Sequence, residues 1–182
     1  MSVSKDDLRD LYAGRLGWDK TKAIISGPKD DDRFETAVEV LQEQVSWPER
    51  ILMPLREHLY VVESGGERVV KCDCGHEFGD WRRNWKLSAL IIARDDEASL
   101  EEIYPGLRRP DPALCEVREF ICPGCGSLLD VESVPVGCPI VFDALPDLDT
   151  FYAEWLGRPL QGVRRCEDLT HEITSHWGQA EL

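Results

Sequence analysis

Apolar positions recur at helical spacing near the N-terminus and at strand-like spacing through the middle of the chain. Leu8, Leu11, Tyr12 and Leu16 form one stripe. Ser4 stands where a cap belongs, and Asp6 and Asp7 sit near the positive end, which predicts a helix over 4–16. Gly17 and Trp18 close it, and Asp19 opens a brief helical piece before Gly27-Pro28. Phe34, Val38, Leu41 and Val45 mark a second helix, preceded by Pro28 and Asp30 to Asp32 and stopped by Pro48. Its other side, with Glu35, Glu39, Gln42 and Glu43, reads as solvated.

Strand grammar follows. Leu59 to Val62 and Arg68 to Lys71 flank Ser64-Gly65-Gly66-Glu67, a hairpin signal that delivers the chain into Cys72. Trp85 to Ala93 alternates, with Trp85, Leu87, Ala89 and Ile91 on one side, and predicts a strand. A small helix is expected from Asp95-Asp96 through Ile103, closed by Pro105-Gly106. Arg108 to Pro112 is a link into a strand over 114–121, and Ser127 to Val134 returns as its hairpin partner. Finally Asp147 caps a helix through Leu156, lined by Leu148, Phe151, Tyr152 and Trp155 and ended by Gly157 and Pro159. Residues 160–182 show weak periodicity and read as an arm.

At 182 residues and 42% hydrophobic, with six tryptophans, the chain is long enough to bury a real core. Its charge is −14, from 35 acidic against 21 basic residues. Nucleic-acid binding relies on basic surfaces that displace counterions, and here the basic clusters are scattered pairs, so nucleic acid is excluded as an expected partner. Neither a signal segment nor a membrane span is evident. Seven cysteines, an odd number, fit thiols and metal ligation in a reducing cytoplasm better than a disulfide framework.

The cysteines carry the chemistry. Cys72-Asp-Cys74-Gly75-His76 and Cys122-Pro-Gly-Cys125-Gly126 are two turns that each close on a glycine, with strand-like sequence on both sides. Two thiolates on one tight turn can face one ion, and the glycine takes up a backbone conformation other residues resist. Two such turns give the four sulfurs of a closed structural zinc site: Cys72, Cys74, Cys122 and Cys125. Because only Asp73 separates the first pair, His76 in place of Cys72 is an alternative, and four reduced cysteines without metal are the plain one. A four-sulfur set leaves no open position for water or substrate, so the Zn2+ would be structural. Iron on four thiolates would make a rubredoxin-like electron carrier, a reading opposed by the irregular first turn and the length of the chain.

Other chemistry is missing from the pattern. His171 and His176 are five residues apart, about 500° of helix rotation, whereas zinc-protease histidines are four apart, about 400°, and so share a face. Ser64-Gly65-Gly66 lacks the Lys-Ser/Thr of a phosphate loop, and no nucleophile elbow occurs. If extended, the strand entering Cys122 holds Cys115 about 23 Å away, so Cys115, Cys138 and Cys166 read as inert thiols. No catalytic residue is assigned. The fold class expected is α+β, a zinc-ribbon-like antiparallel β core with N-terminal helices and a C-terminal helix and arm. Its divisions are a helical arm (1–48), a zinc-ribbon β domain (49–146) with an insertion (76–113), and a C-terminal helix and tail (147–182). Such a chain suits an accessory subunit or a free-standing zinc-ribbon adaptor.

Several ordered motifs resemble the small, or gamma, subunit of acetone carboxylase and the related small subunit of acetophenone carboxylase. They are Pro28-Lys29-Asp30, Leu41 to Trp47, Cys72 to Trp81, Asn84 to Leu87 and Glu102 to Pro105, then Arg118 to Gly126, Asp130 to Glu132 and Phe151 to Gly157. Gly79 stands where some relatives are expected to carry a further cysteine. The resemblance implies a hetero-oligomeric, ATP-dependent ketone carboxylase that activates bicarbonate and a ketone enol by phosphorylation and joins them into a β-keto acid. It implies that ATP and a divalent metal are held by large hydantoinase-like subunits, and that the small subunit is a zinc-bearing structural component.

Overall fold

Two antiparallel sheets, each a simple meander, face one another across a shared core. The computed structural model describes residues 3–175. Three helices come first: α1 (Lys5–Tyr12), α2 (Trp18–Ser26) and α3 (Arg33–Gln42). Ser4 caps α1, its Oγ accepting from the Asp7 N–H at 3.1 Å. The helix stops short of residue 16 because Gly14 takes φ +67° and the N–H groups of Arg15 and Leu16 fold back onto the Asp10 carbonyl. Glu39 and Glu43, on the side of α3 expected only to be solvated, hold α1 through Lys5 and Arg9.

The first sheet runs β1 (Arg50–Arg56), β2 (Leu59–Ser64), β3 (Glu67–Cys72) and β4 (Glu77–Asp80), in that order. Gly65 and Gly66 turn the β2–β3 hairpin with φ +59° and +85°, a pair of positive values that favours glycine. Strands β1 and β4 have no counterpart in the sequence pattern. β1 is a nearly unbroken apolar run with Pro54 inside it, which an edge strand tolerates; β4 is four residues long and includes Gly79. Leu59 to Val62 of β2 are buried at every position. Leu59 and Val61 enter the shared core, while Tyr60 and Val62 pack with Leu41, Trp47 and Ile51 beneath α3.

The second sheet consists of β5 (Leu90–Arg94), β6 (Cys115–Ile121) and β7 (Leu128–Pro135), with α4 (Glu97–Ile103) between β5 and β6. The strand expected from Trp85 is split. Asn84 accepts a hydrogen bond from the Lys86 N–H, which starts a 3-10 turn over Trp85–Ser88, and extended backbone resumes only at Leu90. That turn sends Trp85 into the core beside Trp81, Phe78 and Phe120. It also buries Lys86 completely. The Lys86 Nζ meets Asp130 at 3.0 Å, Asp143 at 3.3 Å, and Glu132, while Arg56 of β1 reaches the same Asp130 at 3.2 Å. Charge as well as apolar contact therefore joins the two sheets.

After β7 the chain returns to a helical turn, Leu148–Thr150, capped by Asp147, and continues as a π-helical stretch, Phe151–Trp155. A plain helix with every aromatic on one inward face is thus corrected. The Leu156 N–H bonds five residues back to the Phe151 carbonyl, and the wider turn buries Tyr152 while leaving Trp155 77% exposed. The segment beyond is laid along the first sheet. Arg68 donates to the Gly162 carbonyl, and the Leu169 N–H donates to that of Arg82. The architecture is the α+β fold expected, with a cysteine cluster between two β-hairpins. Among the described residues no helix is long and apolar enough to cross a membrane.

Candidate metal centre

Each sheet sends one hairpin tip to the same point. The β3–β4 tip leaves the ladder at Cys72, whose N–H bonds the His76 carbonyl at 2.9 Å while the Gly75 N–H bonds the Cys72 carbonyl. The β6–β7 tip repeats this pattern, Cys122 N–H to Ser127 carbonyl and Gly126 N–H to Cys122 carbonyl, each at 2.9 Å. Gly75 and Gly126 take φ +99° and +77°, so the closing glycines are used as the spacing predicted.

The structure brings Cys72, Cys74, Cys122 and Cys125 together, with all four Sγ atoms within 4.8 Å of one another. Cys72 and Cys125 sulfurs are 3.9 Å apart and those of Cys74 and Cys122 are 3.7 Å apart. A tetrahedron with metal–sulfur bonds of about 2.3 Å has edges of about 3.8 Å, whereas a disulfide needs about 2.05 Å. The separations therefore match ligands around one ion, and the four thiols could hold a metal such as zinc. His76 lies outside the group and packs its ring edge-on against Phe78, centroids 4.9 Å apart. Among the described residues no other set of three or more His, Cys, Asp or Glu side chains brings its ligand atoms close enough together to hold one ion. Cys115, Cys138 and Cys166 stand apart from it, and the residue-171 helix is a single turn, His171–Thr174; His176 lies outside the described residues.

Burial differs across the cluster. Cys72 and Cys122 are buried, Cys74 and Cys125 exposed. Burial pushes the thiol of Cys72 well up, and that of Cys74 up as well. Hydrogen bonds with the hydroxyl and backbone of Ser127 hold Cys125 down to about 7. Four adjacent thiolates repel one another and lose solvation, so a cation is what would let all four stay ionised together.

Two supports went unread in the sequence. Gly124 lies where the two tips touch: a Cβ there would stand 2.8 Å from the His76 Cβ and 3.2 Å from the Cys74 sulfur. Its signal was the first glycine of Pro-Gly-Cys-Gly, overshadowed by the second. Trp47 donates its indole N–H to the carbonyls of Cys72, at 3.2 Å, and Asp73, at 3.0 Å. Asp73 also bonds His58, whose φ of +64° puts it at a strained turn between β1 and β2. These contacts fix the first tip from outside.

Residues 45–156 match the family described as "Acetone carboxylase gamma subunit". The chain is 42% identical over 162 residues to the acetone carboxylase gamma subunit of Xanthobacter autotrophicus, covering 88% of this chain and 96% of that protein. It is 30% identical over 83 residues to the acetophenone carboxylase beta subunit of Aromatoleum aromaticum, covering 44% of this chain and 64% of that one. The matched stretch starts just before β1 and ends within the segment after the π-helix, and it encloses both cysteine tips.

Proposed function

The chain belongs to the acetone carboxylase gamma subunit family, and from that premise we propose that it is the zinc-binding structural subunit of a multisubunit, ATP-dependent ketone carboxylase. The enzyme, of acetone or acetophenone type, works in the cytoplasm and joins a ketone and bicarbonate into a β-keto acid. Large hydantoinase-like subunits carry the catalysis and hold ATP and a divalent metal. This chain holds Zn2+ on Cys72, Cys74, Cys122 and Cys125 and has no catalytic residue of its own. The observation that carries the reading is likeness along nearly the whole of an acetone carboxylase gamma subunit, 96% of its length. The four-sulfur cluster supports the structural role, since four protein ligands leave no site for water or substrate. On this reading residues 49–146, with the insertion 76–113, form the metal-stapled unit, flanked by the arm 1–48 and the tail 147–182.

Native mass spectrometry of the tagged chain purified from its own cells tests this. Large subunits in fixed stoichiometry, with one zinc per copy of this chain, are the expected result. A lone zinc-bound chain under gentle conditions would overturn it in favour of a free-standing adaptor. A red, iron-bearing preparation would overturn the zinc assignment.

A further inference from the structure

We propose that the outer face of the second sheet is where this chain docks on a large carboxylase subunit, an inference that rests on the reading above. Strand register places Leu90, Ile121 and Leu128 in one row across β5, β6 and β7, and Ile92, Glu119 and Val131 in the next, all on one face. Leu90, Ile92, Leu128 and Val131 are 44–56% exposed. Glu119 does not interrupt the strip with a free charge, because Arg94 binds it at 2.9 Å. Arg94 also reaches the Ser99 carbonyl and Glu102, which seats α4 at one end of the face and leaves the rest uncovered. β5 is the sheet's edge, and even Ile91, on its other side, is 40% exposed. A strand of Leu-Ile-Ile-Ala open on both sides and along its edge is an aggregation liability unless another surface covers it.

The occupant follows from charge and from the family. Asp95, Asp96, Glu97, Glu101 and Glu102 flank the strip, against Arg94 and Arg109. A partner therefore needs an apolar centre with a basic rim. A second copy of this chain, itself at −14, would bring the same acidic flank. The named relatives are subunits of carboxylases, and the whole face lies within the family-matched residues 45–156, whereas exposed Trp18, Ile25 and Val163 lie outside them. Permanent hetero-complexes bury apolar surface of this kind.

The test is the double variant Ile92→Lys, Val131→Lys, co-expressed with the large subunits. The isolated variant should keep its zinc and its melting temperature, while its retention by the large subunits falls on the order of a hundredfold. Val163→Lys, a lysine placed on an exposed position elsewhere, should assemble normally. Assembly of the double variant at wild-type stoichiometry would overturn the docking face alone; failure of the wild type to assemble would overturn the carboxylase reading and this inference with it. A wild-type homodimer abolished by the double variant would identify a second copy as the occupant and overturn the proposal. If the double variant loses zinc, amide exchange on the unaltered complex decides. β5 should exchange at least about tenfold more slowly in the complex than in the isolated chain, and equal exchange would overturn the proposal.

Discussion

Strands β2 and β5 begin almost alike, Leu-Tyr-Val-Val against Leu-Ile-Ile-Ala, and end in opposite surroundings. All four β2 positions are buried, and none of the corresponding β5 positions is. The difference is one of place, since apolar composition is equal. β2 lies inside its sheet, with α3 and Trp47 on one face and the shared core on the other. β5 lies at an edge, with α4 at one end only. The first sheet is finished by its own chain. The second relies on the cysteine cluster, the Lys86 network and, on our proposal, another subunit.

Removing the metal should break this comparison most sharply. Structural zinc contributes on the order of 10–16 kcal/mol in small peptides, and here it would hold one hairpin tip from each sheet. Chelation, or Cys125→Ser, is expected to abolish amide protection across β6 and β7. β2 and β3 should keep a substantial part of theirs through the separate cluster under α3. Hydrogen exchange with mass spectrometry reads both sheets at once. Equal loss would mean that the sheets unfold as one unit and that the contrast ends at surface cover. A Cys125→Ser protein that kept zinc and full protection would disprove the ligand set.

Lys86→Met should come next. It leaves Asp130, Glu132 and Asp143 facing one another with only Arg56 to offset them. Removing one member of a buried charged set costs about 3–5 kcal/mol, measurable from denaturant midpoints, and the second sheet should loosen first. A neutral result would mean that water already screens these carboxylates. Gly124→Ala is a smaller lesion. Its methyl group must displace His76 or the Cys74 sulfur, and overpacking of this kind costs about 1–3 kcal/mol. Competition with a chromophoric chelator should show weakened zinc affinity, with the apolar contacts of each sheet left in place.

Where a local device acts alone, the sequence was readable. Ser4, the Gly65-Gly66 turn, the Asp96 cap and the two Cys-Gly tips all work within a few residues, and all stand where expected. The four cysteines converge because each pair is built on such a turn. What stayed hidden depends on distant neighbours. β1 is a strand only because β2 pairs with it. Alternation from Trp85 suggested a strand, but the Asn84 side chain and the pull of Lys86 toward three carboxylates from residues 130–143 impose a 3-10 turn instead. The Phe151–Trp155 aromatics suggested an ordinary inward face, which the π-helical turn divides between core and solvent. Gly124 matters only because the other tip lies against it, and Trp47 only because the fold brings the first tip, 25 residues further on, beneath its indole.

The mildest test concerns how the C-terminal segment is fastened to the first sheet. Asp149 accepts from Arg68 of β3 at 2.8 Å and from the Arg164 N–H at 2.7 Å. Burial works to raise its carboxyl pKa, but these hydrogen bonds and the Arg68 charge outweigh burial and leave it below the usual range. A carboxyl whose pKa is lower folded than unfolded contributes stability above its unfolded pKa and loses it as pH falls through the folded one. Asp149→Asn keeps the shape without the charge. Its melting temperature should therefore fall below the wild type's at neutral pH and converge with it in acid. Exchange should quicken at the β2–β3 hairpin, where Arg164 also holds the Gly66 carbonyl, and remain unchanged in β6 and β7. A deficit that stayed constant with pH would assign the effect to lost packing. A deficit shared by both sheets would show that the segment braces the whole core, and the first sheet would then depend on outside support as the second does.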